Sequence, residues 1–299
     1  MTMKKLIYIA LLIVAAGCTK NELIDDNGVN VPATTTRTLS SFIATMEEAN
    51  TRTLLIDGKQ VVWQEDDVIL VSAKENSSMK DFETFELAEG VGTTSAKFVG
   101  KALTGEEFYA FSSYDYKKWN SVDNLTINWD YESNVFFGNE SEEEFHQIPM
   151  IAKEKDGVFE FKQLGGILHF PVIGAGRLEK VSLISNDGKP FKEYYKVDVS
   201  SDIPSITEDE SYDACFSSIN RYPYNPIELS TEETTDIYFI LPAGMTFEEG
   251  LTLSVTFVDE DYVQVVGSKS SQEKIVVNRK KVKHFPVIDT SALAMEAEH

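Results

Sequence analysis

Few residues of this chain stand at spacings that support chemistry. The four histidines, His146, His169, His284 and His299, lie far apart, and none falls in a His-x-x-x-His or Cys-x-x-Cys arrangement, so no metal site is expected. There is no Gly-x-Ser-x-Gly elbow for acyl transfer and no glycine-rich phosphate loop. Gly174-Ala175-Gly176 follows a strand-like run, but "RLEKVSL" after it reads as another strand rather than the helix a dinucleotide site requires. Carboxylates are abundant enough for a pair to reach glycosidase spacing in three dimensions, which sequence does not reveal. The acidic stretches "NESEEEF" (Asn139 to Phe145) and "VDEDY" (Val258 to Tyr262) lack the ligand spacing of a calcium loop and read as solvated surface. No catalytic residue and no cofactor is expected, and the chain does not read as an enzyme.

The chemistry that is legible belongs to Cys18. Lys4 and Lys5 precede an apolar run from Leu6 to Gly17, and Lys20, Glu22, Asp25 and Asp26 follow almost at once. A membrane-spanning helix needs roughly 20 apolar residues, so this shorter run reads as a secretory signal peptide over residues 1–17. A cysteine at the cleavage point resembles the lipobox of bacterial lipoproteins, although Ala15 stands where that pattern prefers leucine. The resemblance implies that the Cys18 thiol is diacylated, that the peptide is then cut, and that the new amino terminus is acylated. Two or three acyl chains, each contributing ~0.8 kcal/mol per buried CH2, anchor stably where one is marginal. Cys215 is then left without a partner, so no intrachain disulfide is expected, and it reads as a small buried hydrophobe.

Composition sets further bounds. The 299 residues carry a net charge of -22, which becomes -24 once Lys4 and Lys5 leave with the signal. Such a field repels phosphate backbones, so nucleic acid is not expected as a partner, and it opposes adsorption onto anionic lipid. At 42% hydrophobic the chain has enough apolar surface for one large or two medium cores.

The elements that follow are mostly strands. Residues 18–38, polar and small, read as a tether. Asp57-Gly58, Asp156-Gly157 and Asp187-Gly188 each interrupt β-rich runs with a pair that tolerates the positive φ of a type I′ hairpin. Alternation puts Phe159 and Phe161 opposite Val158 and Glu160, and gathers Leu251, Leu253, Val255 and Phe257 on one face. "YFILPAG" (Tyr238 to Gly244) reads as a strand buried on both faces. Trp63 reads as core, and so does the aromatic set Phe108, Tyr109, Phe111, Tyr114, Tyr116 and Trp119, which would otherwise suit a carbohydrate platform. Leu39, Phe42, Ile43 and Met46 fit the i, i+3, i+4, i+7 template, leaving that segment open between helix and strand. The expectation is an all-β protein with two antiparallel β-sandwich domains in tandem, residues 39–160 and 161–299.

Five blocks in order resemble the fimbrillin-like (Mfa-like) lipoproteins of fimbrillin family A, the subunits of type V pili. They are "TRTLLIDGKQVVWQEDDVILV" from Thr51, "TTSAKFVGKALTGEEFYAFSSYDY" from Thr93, "GGILHFPV" from Gly165, "DIYFILPAGMTFEEGLTLSVTFVDED" from Asp236, and "KIVVNRKKVKHFPVID" from Lys274. Ser113 stands before Tyr114 where the family usually has proline. The resemblance implies transthyretin-like sandwiches and a lipoprotein held in the outer membrane through Cys18. It also implies a protease cut after an arginine, Arg37 or Arg52, and a strand from the next pilin subunit filling the groove that is opened. A cut at Arg52 would release Phe42, Ile43 and Met46 as the displaced strand; a cut at Arg37 would only free the chain from its lipid. The tail "TSALAMEAEH" (Thr290 to His299) reads as a donor strand or, better, a frayed end. The alternative is a monomeric surface adhesin that binds a glycan or a host protein.

Overall fold

The computed structural model describes residues 36–47, 55–56, 59–60, 62–75, 78–79, 81–112, 116–119, 125–131, 134–138, 149–258 and 263–297. The signal peptide, Cys18, most of the tether, Arg52, the tip of the Asp57-Gly58 hairpin, Tyr114, and the acidic stretches around Glu142 and Asp259 lie outside the described residues. Among the described residues there is no α-helix; one 3-10 turn covers Thr290–Ala292, and the rest is strand, turn and loop.

Strand β1 (Arg37–Met46) begins inside the span read as tether. Next come β2 (Val68–Glu75), β3 (Glu83–Glu89), β4 (Ser95–Gly105) and β5 (Glu107–Phe111). The chain then departs through β6 (Leu125–Asn128) and β7 (Val135–Phe137), and returns as β8 (Met150–Lys155) and β9 (Val158–Gln163). Seven of these close on themselves in the order β2-β3-β4-β1-β9-β8-β5, with β5 hydrogen-bonded back to β2. These seven strands therefore form a barrel-like closed sheet where a β-sandwich is expected. Closure satisfies every strand's backbone groups within the ring and removes the exposed edges an open sheet must protect. Its interior is packed: Phe42, Trp63, Phe85, Phe98, Phe108, Phe159 and Phe161 lie there with relative exposures of 3% or less. Trp63 meets Phe98 and Phe161 edge-on, which confirms it as core.

The hairpin between β8 and β9 turns on Asp156 and Gly157, whose φ angles of 54° and 82° are those of a type I′ turn. Val158 and Glu160 face out while Phe159 and Phe161 fill the barrel, as their alternation predicts. Leu55 pairs with Gln60 and Ile56 with Lys59, antiparallel.

Beyond Leu164 the chain forms β10 (Gly165–Ile173), β11 (Arg177–Ser185), β12 (Tyr194–Asp198) and β13 (Ser205–Glu208). It ends with β14 (Thr235–Pro242), β15 (Leu251–Val258), β16 (Gln264–Ser271), β17 (Val282–His284) and β18 (Ala294–Ala297). One sheet runs β7-β14-β10-β17, and another places β11, β15, β16 and β18 side by side. Leu251, Leu253, Val255 and Phe257 share the buried face of β15, and β14 is buried almost throughout, both as the patterns predict.

Several expectations are corrected. β6 and β7 fall within the 39–160 span, yet β6 pairs with β12 and β7 with β14, so their Leu125, Ile127 and Phe136 join the second core. That core also takes Tyr109, Phe111 and Ile151 from the outward faces of β5 and β8. Residues from Thr36 onward accordingly form one compact unit, not two separate bodies. Asp187-Gly188 is a turn with φ of 71° at Gly188, but it does not close a hairpin: β11 pairs with β15 and with residues 218–221 instead. The tail is not frayed at Ala294–Ala297, which add to β16 as an edge strand. Cys215 is exposed, not buried, because it sits on a two-residue strand paired with Lys192 at the surface.

Candidate functional site

The segment that the resemblance marks for displacement is β1. Leu39, Phe42 and Ala44 point into the barrel at 9%, 3% and 0% exposure, and Met46 packs against the same core. Ile43 faces outward at 39% exposure, so of the three residues named for the displaced strand it is not part of the buried row. The segment is a strand, and the helix-like spacing of Leu39 and Phe42 has a local cause. The pairing with β4 is irregular between Leu39 and Ser41, where β1 advances two residues and β4 four, and across this break Leu39 and Phe42, three apart, are both buried.

β1 lies between two strands. It is antiparallel to β4, with Phe42 opposite Phe98 and Ala44 opposite Ala96, and parallel to β9, with Ile43 opposite Val158 and Met46 opposite Phe161. The Phe42 ring meets Phe159 edge-on at 4.5 Å and lies 5.2 Å from Phe85 and 5.7 Å from Phe98. Loss of β1 would leave two ladders unpaired and a trough floored by these rings, the combination that accepts an added strand.

Each end of β1 is held by charge. At its start, Arg37 donates to both oxygens of Glu154, at 3.2 and 2.5 Å, and lies 5.4 Å from the centre of the Phe108 ring. The Glu154 side chain is 2% exposed, and its Oε1 also accepts from the Gly157 amide at 2.6 Å, which ties the type I′ turn to the clamp. Just past its end, Glu47 accepts from Arg279 at 2.6 and 3.0 Å, with Lys162 at 3.7 Å and Lys280 at 3.6 Å. Burial works to raise the Glu47 pKa, but the Arg279 hydrogen bonds and the three cations outweigh it and hold the carboxyl below its ordinary range.

Of the two candidate cleavage arginines, Arg37 alone lies within the described residues. Arg37 sits within a paired strand, opposite Gly105, with its guanidinium engaged. Arg52 lies outside the described residues, in the connection after Glu47. Of the aromatic block, Phe108, Tyr109 and Phe111 are at most 1% exposed and belong to the cores rather than to a surface platform. Large exposed aromatics occur instead at Tyr222 and Tyr224, 62% and 85% exposed, which no periodic signal marked. Among the described residues no group of three or more His, Cys, Asp or Glu is placed to hold a metal ion.

No family profile matches the chain, and no curated protein matches it. Among solved structures, a candidate cell adhesion protein from Bacteroides ovatus is similar at a TM-score of 0.51 and 12% identity, over 87% of this chain and 95% of that one. A candidate cell adhesion protein from Bacteroides uniformis gives 0.45 at 12% identity, over 87% and 96%. The fimbrial anchor protein Mfa2 from Porphyromonas gingivalis gives 0.33 at 8% identity, over 80% and 81%. Only the first score is high enough to bear on the fold. The chain has the fold of that Bacteroides ovatus protein, in agreement with the fimbrillin-like resemblance carried by its five sequence blocks.

Proposed function

We propose that the chain is a surface-exported structural or accessory subunit of a type V pilus, tethered through lipid on Cys18 until β1 is cut away and replaced by a strand of another subunit. The observation that carries this reading is β1 itself. Its buried row, two ladders and two ion clamps make it an integral barrel strand, yet its covalent link to the rest of the barrel runs through a segment containing Arg52. While that link is intact, β1 is held at high effective concentration; once it is cut, the same contacts become a separable interface. Arg52 is the productive site, because hydrolysis there turns β1 into a detachable piece. Adhesion enters from the Bacteroides ovatus likeness, and the outer membrane and cell surface from the lipobox.

Incubation of the mature protein with an arginine-specific protease tests the reading. Heat-resistant oligomers on a gel are expected, and Arg52→Ala abolishes them while Arg37→Ala does not. A protein that stays monomeric after complete cleavage at Arg52 contradicts it.

A monomeric adhesin is the second reading, favoured by the exposed Tyr222 and Tyr224, since planar rings stack on sugars and on protein surfaces. A glycan-array or host-protein signal lost in the Tyr222→Ala/Tyr224→Ala variant, without oligomers after cleavage, would support it.

A further inference from the structure

We propose that His169 and His284 form a binding site for one divalent transition-metal ion of the imidazole-preferring class. The two residues are 115 positions apart in sequence but directly opposite one another on the parallel strands β10 and β17. Their Nδ1 atoms are 2.8 Å apart, and the rings are perpendicular at 89° with centroids 5.0 Å apart. The far nitrogen of His169, Nε2, lies 2.8 Å from Asp236 Oδ1 on β14, and its ring stacks on Tyr238 at 4.6 Å.

In a neutral His169 whose Nε2–H donates to the Asp236 carboxylate, Nδ1 presents a lone pair and accepts from His284 Nδ1–H. Remove that proton and two lone pairs converge on one point. Bonds of about 2.0–2.1 Å at angles near 90–110° place two imidazole nitrogens roughly 2.9–3.4 Å apart, so the pair needs to open by only a few tenths of an ångström. Asp236 then occupies the position from which a carboxylate orients a metal-bound histidine and raises its basicity. Tyr238 keeps the His169 ring from turning away, and the His169 side chain is only 13% exposed.

His284 is exposed on the edge strand of its sheet, so an ion has a path in from solvent. Of the other groups around the pair, Thr234 donates to Asp236 Oδ2 at 3.4 Å, while the Lys283 ammonium, on the neighbouring position of β17, sits over the Phe285 ring. With no third side-chain ligand among the described residues, water completes the coordination, and Cu2+ is the ion held most tightly.

The test is titration of the metal-free full chain with Cu2+, followed by electron paramagnetic resonance, and separately the shift in melting temperature caused by Zn2+. One Cu2+ per chain with a two-imidazole signature is expected, together with a rise in melting temperature. His284→Ala should abolish the two-nitrogen signature and the Zn2+ shift, the shift being read against the variant's own metal-free melting temperature. Asp236→Asn should weaken binding about 10–100-fold. His146→Ala/His299→Ala controls for the remaining histidines and should titrate like the parent. If His284→Ala binds like the parent, or the double control loses the signature, the assignment is overturned.

Discussion

Replacing Phe42 with alanine removes the largest side chain that β1 gives to the barrel. The ring is 3% exposed and meets three aromatic neighbours at 4.5 to 5.7 Å. Transfer of such a side chain from water contributes about 1.5–3 kcal/mol, and the cavity left among rigid rings brings the usual Phe→Ala cost to ~3–5 kcal/mol. For a unit of this size that is a fall in melting temperature on the order of 10 °C. Ile43 is the internal control, since it is next in the chain but 39% exposed and turned outward. Ile43→Ala should cost less than ~1 kcal/mol. Thermal and urea unfolding of the uncut protein, followed through Trp63, which packs against Phe98 and Phe161, measure both variants. Equal costs at the two positions, or a Phe42→Ala cost below ~1 kcal/mol, would refute the claim that β1 is seated by an inward row.

Three further outcomes follow from the same geometry. Because the Glu47 carboxyl titrates below its unfolded value, its clamp adds stability above about pH 4.3, and that contribution is lost as pH falls through the folded pKa. The gap in melting temperature between parent and Glu47→Gln should therefore be present near neutral pH and close on acidification; a gap that widens in acid would be inconsistent. Arg37→Ala leaves the nearly buried Glu154 carboxylate with the Gly157 amide as its remaining clamp partner and should destabilise by ~1–3 kcal/mol in urea titration. Gly157→Ala meets no atom within 4 Å but must hold φ near 82°, so a loss of roughly 1 kcal/mol is expected from backbone strain alone, again by urea titration.

Local signals carried much of the fold. Alternation in β9 and β15, the continuous apolar run of β14 and the Asp156-Gly157 turn need only neighbours in sequence, and each reads correctly. What stayed hidden depends on partners chosen at long range. Closure of the barrel rests on β5 meeting β2, and the transfer of β6 and β7 to the second core rests on strands more than 60 residues away. An irregular register between β1 and β4 gives Leu39 and Phe42 a helix-like spacing of three, and the inward row of Leu39, Phe42 and Ala44, with Ile43 turned outward, depends on that pairing. Cys215 is exposed where its residue type suggests burial, because residue type alone does not say whether a strand runs at the surface. The His169–His284 contact is a matter of parallel register, which no spacing rule reaches.

The central claim is that β1 is separable and that its place in the barrel accepts another strand. The most direct measurement is binding of a fluorescent peptide with the sequence of Arg37 to Glu47 to protein cut at Arg52 and freed of its own β1. Saturable binding to the cut protein, none to the intact protein, and sharp weakening when the peptide carries alanine at the Phe42 position are predicted. Cut protein that retains its own strand indefinitely, or that binds the peptide no better than intact protein does, would contradict the account.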